Sequence, residues 1–275
     1  MRWPFLLALT GLTVVALLAG RSNHRPNPSP EPAMDHTLTA VSLNMAREAD
    51  PARVLADLQA DGRLRSADLY LFQEVAHQAN QPSVAEQVAK KLGYSATFAP
   101  AAPGVFDQGL AIVSRYPMHD VRIRRLKACD LRFHCRSRFG MSAMVDSPWG
   151  SVQVWNAHLD TRINAAERLE QLQPVIEEAA KREGATLIGG DFNTNEFRWL
   201  GNVAPVPGGP GHGVAIRRAM EARGFVTPFA DGVVTFPTLR RHLDWIFVRG
   251  LRAVDSSVEV APFSDHHAIW TRLAF

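Results

Sequence analysis

Apolar and polar positions follow two alternating patterns along the chain from about residue 37 onward. Short, nearly continuous apolar runs at Thr37–Asn44 and Asp68–Val75 are typical of strands that are buried on both faces. Helical patterns follow each run. The first starts at Asp50, and the second starts at Ser83, which has Glu86 in the capping-box position. This interleaving predicts a single α/β domain over residues 37–275.

The same alternation continues through the rest of the chain. A third helix is predicted to begin at Asn164, to bend at Pro174 and to end at Gly184, and a short fourth helix is predicted to end at Gly224. Residues 201–213 are rich in Gly and Pro and predict a loop. The chain has neither a GxGxxG nor a Walker loop, which disfavours both common nucleotide-binding folds. Further strands are predicted at Gly109–Ser114, Val121–Leu126, Phe139–Val145, Ser151–His158, Thr186–Gly190, His242–Val248, Ser257–Val260 and His267–Leu273.

The first 36 residues differ in kind from the domain. Arg2 precedes an apolar run, Trp3–Gly20, which lacks the polar face that a core helix would show. Residues 1–20 therefore predict a signal peptide or an uncleaved membrane anchor. Residues 21–36 are rich in Pro and predict a stiff linker. We expect the domain to be exported or held at the membrane, in the periplasm or outside a bacterial cell.

Composition narrows the possibilities only in part. The chain has 275 residues, of which 46% are hydrophobic and 21% charged, with a net charge of +3. One sizeable core can use this length, and the slight positive charge is compatible with an anionic substrate. Cys129 and Cys135 are the only cysteines in the sequence, so a zinc site built from cysteines is excluded. In an oxidising compartment these two residues could form a disulfide; the alternative is two unpaired thiols.

Short polar clusters recur at the ends of the predicted strands. Any one of them alone could be a helix cap or a solvated loop, but their recurrence at strand ends favours a functional site, since a rigid scaffold positions such loops. A carboxylate at the end of a buried apolar strand, such as Glu74, is costly unless something compensates it. The clusters are Asn44, Glu74, Asn156 to Asp160, Gly189 to Thr194, His242 to Phe247, and Ser264 to His267.

These clusters, in this order, resemble those of the endonuclease/exonuclease/phosphatase superfamily. The run Gly190-Asp-Phe-Asn193, the C-terminal Ser264-Asp-His266 and the run 110–117 carry the resemblance, which extends over residues 37–275. The superfamily includes pancreatic deoxyribonuclease, abasic-site endonucleases, bacterial sphingomyelinases and inositol polyphosphate 5-phosphatases. The resemblance implies a four-layer α/β sandwich, in which two mixed β-sheets pack face to face with helices outside.

The residue types suit hydrolysis of a phosphodiester by water. Such a reaction needs a base and a group that neutralises the phosphoryl oxygens. His266 is the natural base, because imidazole titrates near neutral pH, and Asp244 would hold its other ring nitrogen. Glu74 and Asn44 offer hard oxygen ligands of the kind that suit Mg²⁺, for which Mn²⁺ is an expected substitute.

Other roles follow from the resemblance alone. It implies that Asp265 lies near the metal ion and that Asp191 and Asn193 orient the attacking water or the phosphate. His158 would donate a hydrogen bond to a non-bridging oxygen. Arg138 is a candidate for contact with the substrate phosphate.

The substrate is less clear from the sequence than the chemistry. Abasic-site endonucleases carry an acidic residue where this chain has Ala46, and neither their aromatic lesion-pocket segments nor the membrane-inserting hairpin of secreted sphingomyelinases is evident. Between Arg122 and Arg138 there is a strong excess of basic residues, which favours a polyanion. We therefore expect a nuclease of low sequence specificity, with a phospholipid headgroup hydrolase and a phosphomonoesterase as alternatives.

Other classes of protein fit the sequence less well. A non-catalytic binding module on the same scaffold should have lost at least one of the polar residues above, and all are present. A serine hydrolase would need a Gly-x-Ser-x-Gly elbow, and a di-zinc hydrolase would need a His-rich ligand set. Neither pattern occurs in the sequence, and no protein partner is evident.

Overall fold

Two main β-sheets, a two-stranded sheet and four α-helices make up the domain in the computed structural model, which describes residues 36–101, 106–129, 138–209 and 211–275. The helices are α1 (Pro51–Ala60), α2 (Val84–Leu92), α3 (Ala165–Ala180) and α4 (His212–Glu221). The strands are β1 (Thr37–Asn44), β2 (Leu69–Gln78), β3 (Ser95–Pro100), β4 (Phe106–Ser114), β5 (Met118–Arg125), β6 (Phe139–Ser147), β7 (Gly150–His158), β8 (Thr186–Asp191), β9 (Arg198–Leu200), β10 (Ala204–Val206), β11 (Asp244–Arg249), β12 (Arg252–Glu259) and β13 (Ala268–Ala274). A short 3₁₀ turn lies at Pro237–Leu239.

Both main sheets are mixed, as the resemblance implied. The first has the order β12-β13-β1-β2-β4-β3, and the second has the order β11-β8-β7-β6-β5. In the first sheet β1 and β2 are parallel, in the second β7 and β8 are parallel, and the other paired strands are antiparallel. Parallel neighbours end at the same edge of a sheet, so each sheet brings two carboxyl-terminal strand ends together.

Three apolar clusters divide the domain into four layers. Leu71, Ile112 and Val154 belong to the cluster in which the inner faces of the two sheets meet. A second cluster packs α1 and α2 against the outer face of the first sheet, and a third packs α3 and α4 against the outer face of the second. The predicted four-layer α/β sandwich is therefore confirmed.

A buried polar bridge crosses the apolar interface between the sheets. The side chain of Asn156 in β7 donates to the carbonyl oxygens of Phe72 and Ala111, both at 2.9 Å. Gln73 in β2 donates to the Asn156 amide oxygen at 2.8 Å. A misplaced partner would leave these buried groups without hydrogen bonds, so the bridge fixes the register of one sheet on the other.

Local sequence accounts for the helix boundaries. Ser83 and Glu86 form the predicted capping box of α2, and α2 is followed by Gly93 in the left-handed conformation with φ of 72°. Asp50 accepts from the amide nitrogen of Ala52 at 2.9 Å and caps α1. Helix α3 begins after Asn164 and continues through Pro174, but it ends four residues before the predicted Gly184, at Ala180.

Several strand features differ from the sequence prediction: β2 extends beyond the predicted Val75 to Gln78, and β12 begins at Arg252 instead of Ser257. Strand β3 was not predicted, because its segment of small and polar residues has no continuous apolar run; it forms the edge of the first sheet by pairing with β4. Strands β9 and β10 form an antiparallel hairpin where most of the segment was predicted to be a loop. Pro205 and the nearby glycines obscured this hairpin, since both residue types are depleted in strands.

The predicted anchor at residues 1–20 and the linker up to residue 35 lie outside the described residues, as does Cys135 of the expected disulfide. Among the residues that the structure describes, no helix combines the length and apolar character needed to cross a membrane.

We predict that Gly190→Ala destabilises the domain. Gly190 in β8 has φ of 143°, and a Cβ there would lie 1.9 Å from the carbonyl oxygen of Ala157 on β7. Neither backbone can yield without breaking the pairing of β7 with β8, so we expect the free energy of unfolding to fall by at least about 2 kcal/mol. Gly62→Ala is the matched control, because a Cβ there meets nothing within 4 Å. Denaturant unfolding of both variants is the measurement; equal midpoints would contradict the prediction.

Candidate active site

The candidate site lies where the polar ends of both sheets meet. Asn44 is the last residue of β1, His158 ends β7 and Asp191 ends β8. Asp244 begins β11 and pairs directly with Asp191 across the antiparallel ladder. Glu74, which the sequence placed at the end of a strand, lies inside β2, at a bulge in its pairing with β4. Strand geometry alone therefore brings these side chains from distant parts of the sequence to one edge.

The carboxylate of Asp191 is the centre of this site. Asn44 donates to its Oδ2 from Nδ2 at 3.0 Å, and His158 places Nε2 at 3.4 Å from the same oxygen. The backbone nitrogen of Asn193 donates to Oδ1 at 2.8 Å. Burial raises the pKa of Asp191 to about 7, and the neighbouring negative charge of Asp244 adds to the effect. Residues from both sheets thus share one buried carboxylate.

His266 and Asp244 form the expected pair. Nδ1 of His266 lies 2.9 Å from Oδ2 of Asp244, which leaves Nε2 on the side of Asp191, 4.0 Å from its Oδ2. Burial alone would lower the pKa of His266, but the charge and hydrogen bond of Asp244 outweigh it and raise the pKa to about 10. Asp244 therefore fixes the orientation of the ring and stabilises the imidazolium that forms when the ring accepts a proton.

The backbone on either side of this pair is also fixed. Thr235 accepts from the amide nitrogens of Leu243 and Asp244 through its hydroxyl oxygen, at 2.9 and 3.2 Å. Ser264 donates its hydroxyl to the carbonyl oxygen of Asn44 at 2.6 Å and accepts from the amide nitrogen of His266 at 3.0 Å. The loop before β13 is thereby joined to the end of β1.

Glu74 adopts a backbone conformation that is unusual for its residue type. Its φ is 48°, in the left-handed region, and its side chain is directed toward the site. Oε1 lies 4.0 Å from Nε2 of His158, while Oε2 accepts from Nε of the largely exposed Arg47 at 3.0 Å. Strain of this kind persists only where the surrounding structure enforces it, and it concentrates at functional sites.

The donor atoms of the site fit a hard divalent cation. Ligand atoms of Asp191, Asp244 and His266 all lie within 4.8 Å of one another, and Glu74 and Asn44 border the same cluster. Within the described part of the chain, Oδ1 of Asp244 is buried without a hydrogen-bond partner. Such a concentration of buried carboxylate oxygens needs a compensating positive charge.

The predicted metal ligands differ in burial and in their hydrogen-bond partners. Asn44 uses both ends of its amide, because Oδ1 accepts from the nitrogen of Ala46 at 2.9 Å while Nδ2 faces Asp191. Asp265 is exposed and lines the same cleft as Glu74. Glu74 and Asp265 thus line one cleft, with Asp265 the more accessible, whereas Asn44 is buried beside Asp191 and does not line it.

Arg138 lies beside the site, but its guanidinium is bound to a carboxylate. Its Nε donates to Oδ1 of Asp160 at 2.9 Å, and both side chains are buried. Burial opposes ionisation of Asp160, but Arg138 and Gln171 outweigh it and lower the pKa of that carboxyl. The side chain expected to contact phosphate therefore supports the loop after β7, which follows His158.

Arg168 in α3 is a residue that sequence reasoning missed. It is fully buried, and its Nε points to Nδ1 of His212 at 3.2 Å. Burial lowers the pKa of its guanidinium to about 9. The loops that follow β7 and β8 are held together by this side chain. The guanidinium also donates to four backbone carbonyl oxygens at 2.6–3.2 Å, those of Asp160, Thr161, Ile163 and Phe192.

A pattern in the sequence could have revealed Arg168. It occupies the buried stripe of α3 together with Gln171 and Leu172, at spacings of three and four residues. A charged residue on the apolar face of a helix needs buried partners.

The polar floor of a cleft of about 510 Å³ is formed by Glu74, His158, Asp191, Asn193 and His266. Three aromatic side chains line another part of it: Phe197 and Trp199 from the β9 segment, and Phe236 from the loop before β11. We refer to Phe197, Trp199 and Phe236 as the aromatic wall. The ring of Phe236 lies 5.0 Å from the ring of His266, measured between centroids.

We predict that Arg168→Met lowers the free energy of unfolding by at least about 3 kcal/mol, because several buried carbonyl oxygens lose their donors. The matched control is Arg223→Met, which changes an exposed arginine and should shift stability by about 0.5 kcal/mol or less. Chemical denaturation monitored by tryptophan fluorescence is the measurement. An Arg168→Met midpoint equal to that of the control would show that the carbonyl contacts contribute nothing.

Comparison with known proteins gives the same architecture. The structure resembles an endonuclease/exonuclease/phosphatase from Beutenbergia cavernae with a TM-score of 0.69 at 18% identity, covering 87% of this chain and 72% of that chain. It resembles the human Nocturnin catalytic domain with bound sulfate anion, with a TM-score of 0.64 at 16% identity, covering 87% and 93% of the two chains. For a humanized Danio rerio TDP2 the TM-score is 0.59 at 16% identity, covering 87% and 100%. At these identities the likeness establishes the fold alone.

Sequence comparison settles the family. Among curated protein sequences, none matches this chain at a significant level. The sequence model of the Endonuclease/Exonuclease/phosphatase family, however, matches residues 41–266, which include every strand end that contributes to the site. Members of this superfamily are generally hydrolases that act on phosphoester bonds. The chain therefore belongs to the Endonuclease/Exonuclease/phosphatase family.

Proposed function

We propose that this protein is a Mg²⁺-dependent phosphodiester hydrolase that cleaves nucleic acid with little sequence preference. The observation that carries the proposal is the buried His266–Asp244 pair, 2.9 Å apart, whose second ring nitrogen faces Asp191 across the floor of an open cleft. A base held in one orientation beside convergent carboxylates is the arrangement that attack by water on a phosphodiester requires.

In the proposed mechanism, Nε2 of His266 takes the proton from the attacking water. Asp244 holds the ring through Nδ1 and stabilises the imidazolium that forms. Asp191 accepts a hydrogen bond from the same water and so orients it toward phosphorus. Asn193 supports Asp191 through its backbone nitrogen and anchors the loop by donating its side-chain amide to the carbonyl oxygen of Leu159 at 3.0 Å.

His158 and the acidic residues have complementary roles. Nε2 of His158 lies between Asp191 and Glu74, at 3.4 and 4.0 Å, where it can donate to a non-bridging phosphoryl oxygen. Glu74, Asn44 and Asp265 would hold Mg²⁺, or Mn²⁺ in its place. When bound, the ion polarises a phosphoryl oxygen as a Lewis acid and offsets the buried carboxylate charge.

Exposed arginines on β5 support nucleic acid as the substrate. Arg122, Arg124 and Arg125 are exposed along this edge strand. Arg124 pairs with Gly140, which in turn pairs with Ala157, the residue before His158. The basic strand therefore leads to the sheet edge that carries the site, and a polyanion bound along it would release counterions.

One observation favours a second candidate, a phospholipid headgroup hydrolase. Leu200, Val203 and Val206 of the β9–β10 hairpin are 46%, 47% and 39% exposed, and the same hairpin contributes Trp199 and Pro205 to the cleft. Exposed aliphatic side chains at the edge of a catalytic cleft are compatible with a lipid surface.

We predict that EDTA abolishes phosphodiester hydrolysis and that Mg²⁺ or Mn²⁺ restores it, because hard carboxylate oxygens dominate the donor set. Release of nitrophenol from bis(p-nitrophenyl) phosphate measures the activity. Isothermal titration of Mg²⁺ into the chelated protein, compared with Glu74→Gln, tests binding independently. Full turnover in EDTA by protein free of metal would reject the metal assignment.

We predict that His266→Ala and Asp244→Asn each lower kcat by roughly 10³- to 10⁴-fold. The first variant loses the base, and the second loses the acceptor that fixes its tautomer. His36→Ala, at an exposed histidine outside the site, is the control and should retain kcat. Steady-state rates on the same diester are the measurement, with circular dichroism to verify folding. Turnover by His266→Ala close to that of the unaltered protein would remove the proposed base.

A further inference from the structure

The catalytic cleft has two chemically different parts. Its floor is polar and ionisable, whereas the aromatic wall of Phe197, Trp199 and Phe236 lines another part of it. Hydrolysis of a phosphodiester by the floor needs no aromatic surface. The wall is therefore available to contact a part of the substrate that does not react.

The wall lies next to the chemistry. Phe236 and His266 have ring centroids 5.0 Å apart and ring planes inclined by 53°. Nε2 of His266 would face the water that attacks phosphorus, so Phe236 lies beside the place that the scissile phosphate would occupy. Phe236 is therefore the member of the wall that a group attached to this phosphate would meet first.

The wall is also fixed before any ligand binds. Phe236 and Arg241 exchange two backbone hydrogen bonds, at 2.9 and 3.0 Å. The side chain of Asn164 accepts from the nitrogen of Trp199 at 2.8 Å and donates to its carbonyl oxygen at 3.0 Å. A surface held in this way loses little conformational entropy when a ligand covers it.

Cations accompany the aromatic rings. The guanidinium of Arg241 lies 4.9 Å from the ring centroid of Phe197 and also pairs with the exposed Glu196 at 3.1 Å, and Arg162 lines the same cleft. Planar rings beside guanidinium groups suit a flat π system that carries an anionic backbone. An acyl chain would gain nothing from the arginines. The cleft, at about 510 Å³, accommodates a compact group rather than a long chain.

We propose that the aromatic wall stacks against an unpaired nucleobase adjoining the scissile phosphate, so that the preferred substrate is single-stranded nucleic acid. This inference rests on the proposed phosphodiesterase function. Bases in a duplex are stacked on each other and present no free face, whereas an unpaired base can lie against Trp199 or Phe236. The wall accepts any base, because every base has a π face, which agrees with low sequence specificity.

The experiment compares two single-stranded substrates with the same sugar–phosphate backbone. One is a short oligodeoxynucleotide, and the other carries tetrahydrofuran residues in place of every nucleoside. With the full chain and Mg²⁺, we expect kcat/KM to be roughly ten-fold higher for the substrate that carries bases. Trp199→Ala should remove this preference by raising KM, whereas Trp199→Phe should keep most of it.

Trp149→Ala is the matched control. Trp149 is also half-buried, but it lies in the turn between β6 and β7, at the far end of β7 from His158, where it packs against Phe275. This variant should retain the full preference. Phe236→Leu, which keeps an apolar side chain without a ring, provides a second test if Trp199→Ala fails to fold.

Binding measured without turnover separates the proposed role of the aromatic wall from the proposed hydrolase function. In EDTA, fluorescence anisotropy should show tighter binding of the oligonucleotide than of its tetrahydrofuran analogue, and Trp199→Ala should abolish the difference. Equal binding and cleavage of both substrates by the unaltered protein would overturn the role of the wall. Hydrolysis of phosphatidylglycerol or sphingomyelin vesicles, without binding of either oligonucleotide, would also overturn it. Base-dependent binding with no cleavage of any phosphodiester would support the wall and reject the proposed hydrolase.

Discussion

The structure depends on burying one carboxylate, that of Asp191, where the ends of the two sheets meet. Asn44 approaches it from the first sheet, and His158 and Asn193 approach it from the second. Water cannot stabilise its charge there, so the surrounding donors must do so. Packing of the sheets and assembly of the site are consequently the same event, because neither sheet alone supplies enough donors.

The fold could be predicted from the sequence to the extent that its signals are local. Apolar runs identified β1 and β7 and located their last residues, Asn44 and His158, where the structure has them. The capping box at Ser83 placed the start of α2. Because polar residues at strand ends must lie at a sheet edge, the site could be assembled in outline before any contact was known.

The remaining features depend on partners that are distant in sequence. Arg138 had two possible partners, a substrate phosphate or Asp160, and only the folded loop brings that carboxylate to 2.9 Å. Arg168 bonds to backbone carbonyl oxygens, which every residue possesses, so no sequence motif identifies them. Strand β3 has few apolar residues and owes its conformation to pairing with β4. In each case tertiary contacts decide what local propensity leaves open.

The first turn of α3 imposes a limit on how this chain can vary. Asn164, which holds Trp199, and Arg168, which holds the loops after β7 and β8, are four positions apart, a little over one helical turn. Each residue advances an α-helix by about 100°, so one insertion or deletion between them would direct either side chain away from its partners. The tip of the hairpin beyond Trp199 is constrained less, by a single side-chain hydrogen bond from Asn202 to the carbonyl oxygen of Arg162 at 2.6 Å. A change of length is therefore better tolerated at this tip, where the aromatic side of the cleft can vary while its polar floor keeps its geometry.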